Sequence, residues 1–337
     1  MERNIFSNRR VGATLSRLTI LLFTVAFVFA PVSISLAQTF PTKPVRIIVP
    51  AEPGGGLDIP ARNLAQGLSQ RFGQQVIVEN IVGASQQRGV HALVKAQPDG
   101  YTLLYGGSTP ITIAENFDPK PPYDARRELI GVAVVARNPR LIVIPPDVKA
   151  NTLPEFFALA RTQPGKFFYG SPGIGHSFHL LTELLSTQAG IKMTHVPYKG
   201  SAQTLVALLG GDLMIAIAGV TTMREHVNSG KVRLLAASTR ERDPLAPTVP
   251  SAAEFGHPEL DYAGDLGYFL PAGAPRPVVI KLADALGKAI QGPEFAARAT
   301  ALGTQVKYRN PEQFAELVAA SYSRYQRIVK QAGIKPD

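Results

Sequence analysis

Three stretches of this chain combine glycine, hydroxyl and charged residues in patterns suited to holding a small polar molecule. The first is Ala51-Glu52-Pro53-Gly54-Gly55-Gly56-Leu57-Asp58. Consecutive glycines let backbone N–H groups converge on an anion without side chains in the way, and a helix starting behind them adds a favourable partial charge. The same residues would also serve as a tight turn with Asp58 capping the next helix. The second stretch, Gly170-Ser171-Pro172-Gly173-Ile174-Gly175-His176-Ser177, supplies backbone donors, two hydroxyls and an imidazole. The third, Tyr198-Lys199-Gly200-Ser201, offers one cation beside a glycine.

Catalytic patterns are weaker. His176 and His179 stand three apart and could share a metal, but no further ligand follows at a recognisable spacing. Ser177, His179 and Asp212 could be imagined as a triad, as almost any Ser, His and Asp can. There is no HExxH, no Gly-x-Ser-x-Gly elbow and no phosphate loop, and Gly173-Ile174-Gly175 lacks the third glycine of a dinucleotide fingerprint. Cysteine is absent, which removes disulfides, thiolate metal sites and cysteine nucleophiles. No cofactor, no metal and no catalysis are expected.

The elements that must position these loops alternate in type. Val45 to Val49 reads as a strand, Ile59 to Phe72 as a helix, Val76 to Val78 as a strand, Arg88 to Ala96 as a helix and Tyr101 to Tyr105 as a strand. That order predicts a parallel sheet with helices on its faces. The pattern repeats from Thr152, where Thr152-Leu153-Pro154-Glu155 opens a helix as a capping box, through strands at Phe167, Met193, Leu213 and Val232. The last third is mainly helical, with Asn310 capping the final helix and one strand near Val306.

Ahead of these elements, Met1 to Arg17 carries four arginines against one glutamate, and Leu18 to Ala30 is almost wholly apolar. This is the signature of a secretory leader, with Ser35-Leu36-Ala37 as the cleavage site and the export route open. Removing 37 of 337 residues leaves 300, enough for two domains. Without the leader the count is 31 bases and 24 acids, a net charge of +7. These charges are dispersed and no aromatic residues interleave with a basic run, so no nucleic acid is expected as a partner.

The loops fall within a wider pattern. Phe40-Pro41-Thr42-Lys43-Pro44-Val45-Arg46, Pro53-Gly54-Gly55-Gly56 with Asp58 and Arg62, Val78-Glu79-Asn80, Gln97-Pro98-Asp99-Gly100-Tyr101, Val196-Pro197-Tyr198-Lys199-Gly200-Ser201 and Gly210-Gly211-Asp212-Leu213 occur in that order. From about Thr39 onward the chain resembles the Bug-type extracytoplasmic solute-binding receptors of the tripartite tricarboxylate transporter family.

The resemblance implies an α/β periplasmic-binding-protein (Venus-flytrap) fold, with residues 39–138 plus 264–337 as domain 1, 139–263 as domain 2, and hinge strands between them. It implies a periplasmic monomer that closes on a small organic carboxylate and delivers it to large and small integral membrane transporter subunits. The same clamshell could instead report to a membrane sensor kinase. The implied ligand-binding residues are Ala51, Glu52, Gly54, Gly55, Gly56, Leu57 and Asp58 on one lip, and Ser171, Gly175, His176, Ser177, Tyr198, Lys199, Gly200 and Ser201 on the other.

Departures from the family pattern fall at the ligand loops: Ala51, Glu52 and Leu57, then Gly83-Ala84-Ser85-Gln86, and no Trp near Leu266-Gly267-Tyr268. Glu52 either faces solvent or enters the cleft. In the cleft it would repel a second carboxylate and favour an amine, amide or hydroxyl.

Overall fold

The computed structural model describes residues 40–332 except 108, 117–119, 245, 262 and 263. The leader expected over residues 1–37 lies outside the described residues. None of the described helices is long and apolar enough to cross a membrane.

Two sheets organise the chain. The first contains β1 (Val45–Val49), β2 (Val76–Asn80), β3 (Thr102–Gly106), β4 (Leu129–Asn138), β10 (Gly264–Pro271) and β11 (Gln305–Arg309), in the order β11-β4-β10-β3-β1-β2. The second contains β5 (Arg140–Ile144), β6 (Phe167–Ser171), β7 (Met193–Pro197), β8 (Ile215–Gly219) and β9 (Arg233–Ala237), in the order β7-β6-β8-β5-β9. Helices α1 (Asp58–Phe72), α2 (Gln87–Val94) and α3 (Ala125–Glu128) accompany the first sheet. Helices α4 (Leu153–Thr162), α5 (Ser177–Ala189), α6 (Ser201–Leu209) and α7 (Val220–Asn228) accompany the second. Then α8 (Arg276–Ile290), α9 (Pro293–Ala301) and α10 (Pro311–Ala332) close the chain.

The parallel expectation holds only in part. β1 pairs parallel with β2 and β3, and β6 with β7 and β8. By contrast β10 runs antiparallel to β3 and β4, and β5 antiparallel to β8 and β9. The reason is connectivity. The chain leaves the first sheet at Asn138, enters the second at Arg140, and returns at Gly264, so the strands that cross between sheets run against the βαβ units they join.

Burial follows position in the sheet. Central β8 is buried at every residue, whereas edge strand β2 alternates in exposure, as a strand covered on one face must. The first core gathers Ile48, Leu93, Leu104, Val134, Phe269 and Phe314. The second gathers Ile142, Phe156, Tyr169, Leu181, Ile217 and Ala236. The last helix joins both: Phe314 near its start packs against Phe269 with ring centroids 4.8 Å apart and planes tilted by 48°, and Tyr325 and Ile328 near its end sit in the second core. A Cβ at Gly267 would come within 2.6 Å of the Phe314 ring, so this helix needs a bare backbone under it. Its start is fixed by Asn310, whose Oδ1 accepts from the Gln313 N–H at 2.9 Å while Gln313 Oε1 accepts from the Asn310 N–H at 3.2 Å.

Candidate functional site

The 51–57 loop leaves β1 with its last strand residues buried and turns back through Gly54, whose φ of +74° lies where only glycine sits without strain. The Gly54 N–H donates to Asp58 Oδ2 at 2.8 Å, and the Gly55 N–H donates to the Glu52 carbonyl at 3.2 Å. Two of the amides expected to converge on an anion are thus turned into their own loop. The anion nest read from three glycines is not built in that form.

Asp58 lies beneath this loop and not on the cleft wall. Its Oδ2 also accepts from Arg62 Nε at 2.8 Å, and its Oδ1 from Asn80 Nδ2 at 2.8 Å. Asn80 Nδ2 reaches the Ala51 carbonyl as well, at 2.9 Å. Burial by itself would raise the Asp58 carboxyl, but the hydrogen bonds from Arg62, Gly54 and Asn80 and the charge of Arg62 hold it below the usual carboxylate range.

The 171–177 loop is fixed differently. Ser171 is fully buried: its Oγ donates to the Gly173 carbonyl at 2.9 Å, leaving the His195 Nε2–H as donor to Oγ at 2.7 Å. His195 stacks on His179 with ring centroids 4.1 Å apart and on Tyr169 at 4.9 Å. His179 Nδ1 accepts from the Gly175 N–H at 3.3 Å. Burial pushes His179 down to about 3 and His195 down to about 4, with the neighbouring His195 contributing to the first. Burial, the Arg140 charge and His179 together bring His176 to about 3. All three rings are neutral at any ordinary pH.

Both loops open on one cavity of about 280 Å³ between the sheets. Of the residues expected at the site, Ala51, Glu52, Gly54, Gly55, Gly56, Leu57, His176, Ser177, Lys199, Gly200 and Ser201 line it. Asp58, Ser171, Gly175 and Tyr198 do not. The first three stand behind the lips as their supports, and Tyr198 packs against the second core.

The lips touch. Ser85 Oγ donates to the Ile174 carbonyl at 2.8 Å, the Gln86 side-chain amide meets His176 Nε2 at 3.3 Å, and the Ser177 N–H donates to Thr109 Oγ1 at 3.3 Å. Glu52 enters the cleft: a Cβ on Gly200 would strike its carboxylate. Side chains that accompany the first sheet, Ser85, Gln86 and Thr109, are thus bonded directly to the 171–177 loop of the second.

Sequence reasoning missed the floor of the cavity. Asn138 and Arg140, at the passage from β4 to β5, both line it, as does Phe178 at the start of α5. Arg140 lies 5.2 Å from the Phe178 ring. The signal was present: two polar residues flank Pro139 between the apolar runs Leu129–Ala136 and Leu141–Ile144. Among the described residues no group of three or more His, Asp or Glu converges as a metal site would require.

Residues 60–334 match the family model for the tripartite tricarboxylate transporter family receptor. The chain belongs to this family. The receptor is 33% identical to BugT of Bordetella pertussis over 311 residues, spanning 92% of this chain and 94% of that one. It superposes on an R. palustris protein solved with adipate at a TM-score of 0.84, with 29% identity, covering 88% of this chain and 100% of the other. It superposes on MatC of Rhodopseudomonas palustris with bound malate at 0.81, with 29% identity, covering 86% and 100%. The fold is that of periplasmic binding proteins with two α/β lobes, and the receptor's work is solute capture for a tripartite tricarboxylate-type transporter. Members of the family are receptors and not enzymes.

Proposed function

We propose that the receptor, exported with a leader ending at Ala37 and acting as a periplasmic monomer, closes its two lips on one small organic carboxylate and presents it to the membrane subunits of its transporter. The moving bodies are residues 39–138 with 264–337 against 139–263. One observation carries this reading: the lips of two differently built lobes meet around a single cavity whose wall holds two bases, Arg140 and Lys199, and one acid, Glu52. A cavity of about 280 Å³ suits a small metabolite. The relatives solved with adipate and malate support a carboxylate as the solute.

Thermal unfolding of the purified receptor against mono-, di- and tricarboxylates, with native mass spectrometry of the untreated protein, tests this. A ligand at a hundred times its Kd should add about 2.7 kcal/mol and raise the Tm by several degrees. No shift with any carboxylate, together with no carboxylate mass retained from expression, would overturn the reading.

A further inference from the structure

Asn138 and Arg140 flank Pro139 where the chain passes between the sheets. Residues two apart in an extended chain share a face, and a following proline holds Asn138 extended. Both side chains accordingly meet over Gly219: a Cβ there would stand 3.3 Å from Arg140 Nη1 and 4.0 Å from Asn138 Nδ2. A guanidinium and a carboxamide thus lie side by side on the cavity floor.

Asn138 carries the second observation. It is 2% exposed, its Nδ2 donates to Thr221 Oγ1 at 3.2 Å, and its Oδ1 is buried without a hydrogen-bond partner. A buried acceptor left in this state is costly, and beside a cavity a bound solute is one source of the missing donor. Opposite, at the rim, stands Glu52, the one acid among the described residues lining the cavity. Much of the wall between is apolar, with Phe178, Leu205, Met223 and Leu266.

Resting on the carboxylate reading above and narrowing it, we propose that the receptor's solute is a monocarboxylate with an apolar body and a hydroxyl or amino group on the carbon next to the carboxylate. Arg140 holds the carboxylate, Asn138 Oδ1 accepts from the neighbouring donor, and Glu52 disfavours a second carboxylate. A guanidinium takes two carboxylate oxygens in its fork, which fixes the adjacent carbon and so aims its substituent at Asn138. This differs from the dicarboxylates, adipate and malate, found in the two R. palustris relatives.

The experiment measures Kd by calorimetry for phenyllactate, for 3-phenylpropionate, which lacks only the hydroxyl, and for malate and adipate. Phenyllactate should bind about 10- to 100-fold more tightly than 3-phenylpropionate, the cost of leaving a buried acceptor unpaired. It should also bind more tightly than either dicarboxylate. Glu52→Gln should improve malate and adipate selectively, while Arg140→Gln should abolish binding of all four and Arg140→Lys retain part of it. Equal binding of phenyllactate and 3-phenylpropionate by the wild-type receptor overturns the Asn138 assignment whether or not any variant folds. Tighter binding of malate or adipate than of phenyllactate overturns the proposal and leaves carboxylate capture standing. Binding of no carboxylate at all overturns both.

Discussion

Beneath the 51–57 loop an ionised carboxylate, Asp58, gathers N–H groups from Gly54, Arg62 and Asn80. Beneath the 171–177 loop the corresponding supports are neutral: Ser171, His195 and His179, bonded and stacked on one another and on Tyr169. Both arrangements hold a lip rigid while keeping its ligand face clear. They differ because Arg62 extends to the surface, where water shares its charge, whereas His179 is buried and His195 half-buried beside Tyr169 of the second core. Charge is affordable where one partner stays wet; a closed stack must be neutral.

Acid separates the two lips most strongly. The rings of His176 and His179 have folded pKa values of about 3, and His195 about 4, all below the unfolded value of about 6.5. The unfolded chain therefore binds more protons as pH falls through 6.5, so stability is full above that pH and is lost progressively toward 4. His257, also lowered by burial, acts in the same direction. Asp58 acts in the same sense but in a lower window: its depressed carboxyl contributes stability above the unfolded value of about 3.9 and loses it only below. Between pH 7 and 5 the second lip alone should weaken, by about 2 kcal/mol for each of the two buried rings and by less for His195, which is partly screened by water. Melting curves at pH 7, 6 and 5 should show a falling Tm, with a shallower fall in His179→Gln. Flat curves, or an unchanged slope in the variant, would remove the neutral-stack account.

Mutation at neutral pH should reverse the ranking. Asp58→Ala leaves the Gly54 N–H, Asn80 and Arg62 without their shared acceptor and should cost about 3 kcal/mol in denaturant unfolding. Ser171→Ala removes a neutral hydroxyl whose partners, His195 and the Gly173 carbonyl, keep other contacts, and should cost about 1 kcal/mol. Equal losses would mean that the two supports are equivalent and that their charge difference carries no energy.

How far this was legible from sequence differs between the lips as well. Most of the expected lip residues line the cavity, because glycine and hydroxyl clusters between strands and helices sit at the ends of the sheets, but Asp58, Ser171, Gly175 and Tyr198 do not. Helix ends were also readable where side-chain caps announce them: Thr152 Oγ1 accepts from the Glu155 N–H at 3.3 Å and Asn310 caps α10. What stayed hidden was decided by tertiary packing. β4, ten residues long and almost continuously apolar, has no alternation to mark it as a strand. Asp58 looks the same in sequence whether it meets a ligand or its own loop; Asn80, 22 residues away, decides the matter. Arg140 and Asn138 become a site only because Gly219 on another strand lets both approach.

The smallest expected effect concerns the segment through which the first lobe grips the second. Ala84, Ser85 and Gln86 all have positive φ, at 47°, 46° and 78°, a conformation that costs a residue with a Cβ about 1 kcal/mol or more. Ser85 and Gln86 make the bonds to Ile174 and His176, so at these two positions strain accompanies closure. Ala84 is exposed. Ala84→Gly should therefore relieve strain at one position, offset in part by the greater freedom glycine brings to the unfolded chain, for a net gain of about 0.5 kcal/mol and a Tm higher by about 1 degree. Solute affinity should stay unchanged. Ser85→Gly relieves similar strain but deletes the bond across the cleft, and should weaken solute binding even if the protein melts no lower. If both variants changed affinity alike, the strain itself and not the Ser85 bond would govern closure, and the two lips would be coupled through the backbone of this loop.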